Sequence, residues 1–191
     1  MASITSLPSG VTGSSLVLIS EQTASSSANI SFTSGIDSTY KEYVFKFIDI
    51  HPATDAQAFT FNLSADGGSN YNVTKTTTYF LAYHNEGGSS TTLGYTSSAD
   101  LAQSTGEQYL FRDIGNDNDQ SGSGTLHLFD PSSTTFVKHF TGNFQSYKSD
   151  DYTHQNFPAG YGNTTSAVNA IRFKFASGNI DSGTIKMYGV V

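Results

Sequence analysis

The chain has 191 residues, the size of one β domain, and its 9 Lys and Arg against 16 Asp and Glu leave a formal charge of −7, which excludes a nucleic-acid backbone as partner. It has no Cys, so disulfides and thiolate metal sites are excluded. Only 13% of its residues are charged, but 14 Phe and 11 Tyr exclude a disordered chain and suit face-to-face packing of sheets.

Residues 1–13 are polar and broken by Pro8, Gly10 and Gly13, and they read as an extended, flexible arm ahead of a single domain over 14–191. The opening Met1-Ala2-Ser3-Ile4-Thr5 has neither the basic nor the apolar region of a secretory signal, so none is expected. No apolar run approaches the roughly 20 residues that span a bilayer, and no membrane partner is expected. Apolar-polar alternation then predicts strands over 15–20, 29–33, 42–50, 56–64, 77–84, 107–113, 124–129, 136–144, 168–175 and 184–191. Phe59, Phe61 and Leu63 share one face of their strand, and Ile171, Phe173 and Phe175 share one face of theirs. The run from Tyr43 to Ile50 is apolar on both sides and reads as a central strand. Turn signals separate the runs: Asp66-Gly67-Gly68, Glu86-Gly87-Gly88, Asp130-Pro131 and Ser177-Gly178-Asn179. Residues 99–103 are the one short helix candidate. The closing runs, Ile171 to Phe175 and Ser182 to Val190, read as a strand pair that completes the sheet. Strands at this spacing, without repeats or heptads, predict an all-β, jelly-roll-like antiparallel β-sandwich with an extended N-terminal arm.

Chemistry is sparse. Asp117-Asn118-Asp119-Gln120-Ser121-Gly122 begins like a calcium loop, and Asp113 adds a carboxylate nearby. Position 12 of that loop is Leu128 rather than a bidentate Glu, so Asp113, Asp117, Asp119 and Ser121 make a weak calcium candidate, and a solvated hairpin loop without metal or cofactor is expected. None of the histidines has metal-ligand spacing; His127 and His139 flank the Asp130-Pro131 turn and face each other in one register. There is no G-x-S-x-G elbow and no placeable carboxylate pair, so no enzyme activity is expected. Residues 144–163 lack clear periodicity and read as a long loop, of the kind that carries function. Its Tyr147, Asp150, Asp151, Tyr152, His154, Asn156 and Tyr161 suit either stacking and hydrogen bonding to a glycan or burial in a subunit interface, and composition favours the interface.

The run from Ser15 to Ser34, then Ile36 to Tyr40 and Tyr43-Val44-Phe45, Leu63 to Tyr71, and Ser182 to Gly189 resemble small virion structural proteins of tailed phages, especially marine and cyanobacterial ones, of tail-fibre-like or capsid-decoration type. The resemblance covers nearly all of the chain after residue 14 and carries no catalytic motif. Long stalks, which typical phage fibres carry, are missing here. The expectation is therefore a non-enzymatic virion subunit: capsid decoration or cement, head fibre or tail knob. It would associate with itself, as a homotrimer, and with other virion proteins through the N-terminal arm. The alternative expectation is a lectin-like receptor-recognition module that binds a host surface glycan.

Overall fold

The computed structural model describes residues 16–191, and the arm expected over 1–13 lies outside the described residues. Alternating runs become strands and the turn signals become their connections. The strands are β1 (Leu16–Ser27), β2 (Ile30–Phe32), β3 (Glu42–Pro52), β4 (Gln57–Ser64), β5 (Lys75–Asn85), β6 (Thr91–Tyr95), β7 (Gln108–Ile114), β8 (Gly122–Phe129), β9 (Lys138–Lys148), β10 (Tyr152–Gly162), β11 (Ala170–Phe175) and β12 (Ile180–Val190). Every pairing between them is antiparallel.

The topology is a rolled-up hairpin. β1 pairs β12, β2 pairs β11, β3 pairs β8 and β4 pairs β7, each pair nested inside the one before. Rolling that ladder brings β12 beside β3 and β11 beside β4, giving one layer in the order β1-β12-β3-β8 and a second in the order β2-β11-β4-β7. These are the two four-stranded layers of a jelly roll. β5–β6 is inserted between β4 and β7, and β9–β10 between β8 and β11. Both insertions extend the first layer, which continues β8-β9-β10-β5-β6. A single pairing, Ile114 with Lys148, links β7 to β9 at one corner. At the opposite side the layers approach again, where Gln22 Nε2 donates to Ser31 O at 2.8 Å.

Aromatic rings from both layers fill the space between them. Phe47 of β3 meets Phe173, Phe144, Phe59 and Phe111 with ring centroids 5.0, 5.5, 6.1 and 6.4 Å away, all edge to face. Such pairs contribute about 0.5–1.5 kcal/mol each beyond area burial. β3 is flanked by β12 and β8, so it is an interior strand of its layer, as expected.

Four expectations need correction. Residues 152–162, placed within a loop, are strand β10, and 144–148 belong to β9; only the turn at 149–151 is irregular. The inward positions of β10 include His154 and Asn156, so polar side chains sit where hydrophobic periodicity looks for apolar ones. Residues 99–103 form turns and bends instead of a helix, with Gln103 at a left-handed φ of 48°. The closing runs do not pair with each other: β11 lies between β2 and β4, and β12 between β1 and β3, in opposite layers. His127 sits opposite Thr141 instead of His139, and its Nδ1 lies 2.6 Å from Glu42 Oε1.

Candidate functional site

The insertions lengthen one layer only. The first layer runs on past β8 through β9, β10, β5 and β6, whereas the second ends at β7. The inner face of the extension therefore overhangs the edge of β7, and the gap is an open groove of about 440 Å³. That volume lies within the range of small-ligand clefts.

Strand parity dictates what lines it. Tyr152, His154 and Asn156 follow the core-facing parity of β9, since Asn156 lies opposite Phe144 and His154 opposite Ser146. Across the next ladder His154 faces Tyr83, and Tyr83 faces Thr92. The Tyr83 and Tyr152 rings meet edge to face with centroids 5.4 Å apart, and Tyr83 lies 5.7 Å from the His154 ring. Lys148 Nζ sits 5.4 Å from the centre of the Tyr152 ring and pairs with Asp150 in the turn. From β7, Arg112 and Asp113 close the opposite wall, 3.8 Å apart. Tyr95, at the rim, is 58% exposed and donates its hydroxyl to the Asp100 carboxylate.

Beneath this lining lies a satisfied polar layer. Tyr79 OH donates to Asn156 Oδ1 at 2.6 Å, and Asn156 Nδ2 reaches Ser146 Oγ at 3.3 Å. Tyr79, Leu81 and Ala99 form a small core of their own under β5, with Tyr83 and Tyr109 packed against it. Burial drives the Tyr79 phenol pKa upward, so that hydroxyl remains a donor at any physiological pH. His154 is only 5% exposed, and its Nδ1 has no partner among the described residues. Burial also lowers the His154 pKa, chiefly through lost hydration, so its neutral form is favoured.

The candidates named from sequence separate into two faces. Asp150, Tyr152 and His154 line the groove, and Asn156 supports it from below without reaching solvent. Tyr147 faces the other way, where its hydroxyl lies 3.0 Å from Glu86 Oε1 and 3.1 Å from Asp151 Oδ1. These carboxylates, Glu86 foremost, push the Tyr147 pKa up. Tyr161 is on that outer face too, opposite Thr76 and His139, its ring 6.2 Å from the imidazole. The seven residues are therefore not one site.

The calcium candidates also diverge. Asp113 lines the groove, whereas Asp119 and Ser121 line a depression on the outer face beside Tyr147. Asp117 is exposed, and its loop is closed by Gln120, whose N–H donates to Asp117 O at 2.9 Å. Among the described residues no group of three or more His, Cys, Asp and Glu side chains is placed to hold a metal ion.

Tyr83, Tyr95, Arg112 and Lys148 were not singled out from the sequence. One signal was there for Tyr83: Tyr79, Leu81 and Tyr83 alternate along the run at 77–84. Arg112 and Lys148 had none, because each reaches the groove through pairings distant in sequence. No family model, curated protein or solved structure matches the chain.

Proposed function

We propose that this chain is a non-enzymatic recognition subunit of a tailed-phage particle, a jelly-roll body whose groove takes a saccharide of the host surface. The observation that carries the reading is the overhang, which leaves Tyr83 and Tyr152 around an open groove together with Arg112, Asp113, Lys148 and Asp150. Sugar rings present apolar C–H faces that pack on aromatic rings, and hydroxyls that bond to carboxylates, amides and cations. A groove with both kinds of lining meets both needs. Its carboxylates pair with cations, Asp113 with Arg112 and Asp150 with Lys148. Glycoside hydrolysis needs a different arrangement, two carboxyl groups facing each other across the scissile bond. The jelly roll hosts capsid and lectin domains alike. The phage context rests on the sequence resemblance alone.

A glycan array probed with the isolated protein tests the binding, and mass spectrometry of purified particles tests the setting. Selective binding that is lost in Tyr152→Ala and kept in Tyr161→Ala is the expected outcome. Equal loss in both variants, or no selective binding at all, would overturn the groove reading. Presence in lysate but never in particles would overturn the virion setting.

A further inference from the structure

The extension that builds the groove ends in an open strand edge. Among the described residues, β6 pairs with β5 on one side and with nothing on the other. The phase of its ladder is fixed at both ends: Asn85 N–H donates to Ser90 O at 3.1 Å, and Thr96 N–H to Tyr79 O at 2.8 Å. Antiparallel pairing alternates, so Thr92 and Gly94 turn their backbone N–H and C=O toward β5. Thr91, Leu93 and Tyr95 turn theirs to the open edge. These three positions are symmetric about Leu93.

Natural sheets blunt such edges with charge, proline or a covering segment. β6 reads Thr-Thr-Leu-Gly-Tyr, with no charge and no proline. Leu93 is 73% exposed, and beside it an apolar stripe crosses the outer face. Phe80 lies opposite Tyr95 on one side and Phe157 on the other, and the two Phe rings stack with centroids 4.8 Å apart. No Asp, Glu, Lys or Arg occupies the outer-face positions of β6, β5 and β10 within this stripe. The whole chain carries −7, so two copies repel over most of their surface and least here.

We infer that β6 is a self-association edge, pairing antiparallel with β6 of a second copy about a two-fold axis at Leu93. In that register Leu93 meets its own counterpart and Thr91 meets Tyr95 of the other copy. Every free donor and acceptor of the edge then finds a partner, about six hydrogen bonds in all. The extensions of both copies merge into one continuous sheet, and both grooves remain on its inner face. The occupant is a second copy because the edge is self-complementary in phase, sequence and charge. This two-fold pairing departs from the trimer expected from sequence and is independent of what the groove binds.

The test is sedimentation of the intact protein over a roughly hundredfold concentration range, across which a mass-action dimer changes its population. The wild type should move from monomer to dimer. Leu93→Lys and Leu93→Glu should each remain monomeric, with unchanged circular dichroism and melting, because the Leu93 side chain is mostly in solvent. Mixing the two variants should restore a one-to-one dimer, since only a two-fold axis at this position sets residue 93 against residue 93. Leu93→Pro, which removes an edge-facing N–H and none of the N–H groups bonded to β5, should also weaken the dimer. A wild type that stays monomeric throughout, a trimer, a dimer indifferent to Leu93→Lys, or a mixture that fails to pair would each overturn the proposal.

Discussion

Lys75 shows how single residues support this fold. Its side chain is fully buried, and Nζ donates to Asn62 Oδ1 and, at 2.9 Å, to Val73 O. Burial lowers its pKa from 10.5 to about 8. Between those values the unfolded chain binds the proton and the folded chain does not, so stability rises with pH across that window. Tyr43 and Tyr79 act oppositely. Burial raises their pKa values above the ordinary 10.0, so the unfolded chain loses those protons first and stability falls above that pH. Melting temperature followed against pH should climb from about pH 8 and turn down above pH 10. Lys75→Met should shrink the climb without abolishing it, because burial holds the Lys138 pKa down as well. An unchanged climb in the variant would contradict this account. Tyr79→Phe probes the layer under the groove. It leaves Asn156 Oδ1 without its donor, and a buried unsatisfied acceptor costs about 1–3 kcal/mol in denaturant unfolding. A loss near zero would mean that water takes the place of the hydroxyl.

At the scale of elements, β10 holds the extension together, and sequence reading handled it worst. Ten of the twelve strands coincide with runs read from the sequence, and in most of them apolar residues hold the inward positions. β10 breaks that rule with His154 and Asn156 pointing inward, and Pro158 at its middle interrupts its pairing with β9 between Asn156 and Ala159. β6 was missed for another reason: it is five residues long and covered on neither face, so no alternation marks it. Gly160 offers a direct probe of β10. A Cβ there would lie 2.5 Å from Thr76 O and 2.8 Å from the Thr77 Cα, both backbone atoms of β5. Gly160→Ala should cost about 1–3 kcal/mol by forcing the strands apart. Hydrogen exchange should quicken at β5 and β10 amides and stay slow in β1 and β12. Uniform quickening throughout the protein would show that the extension and the jelly roll open as one unit.

For the whole molecule, the sandwich class was legible because alternating runs and turn residues are local signals. The groove was not, because it depends on which layer receives the two insertions. Asp113 of β7 and Asp150 of the β9–β10 turn meet only through that pairing, and nothing near either residue announces it. The same pairing explains why Tyr147 and Tyr152, so close in sequence, look out on opposite faces: an odd separation in a tight hairpin sends them apart. The proposed function rests on the overhang: a layer extended without an opposing partner leaves aromatic rings at an open groove that a complete sandwich would bury. The most direct test is a nuclear magnetic resonance titration of the isotope-labelled protein with oligosaccharides cut from the host envelope. The account predicts that the amides of Tyr83, Thr92, Tyr152 and His154 shift together and saturate together, while Thr76 and Tyr161 stay still. Shifts confined to the outer face around Tyr147 and Glu86, or no shifts at saturating saccharide, would contradict it.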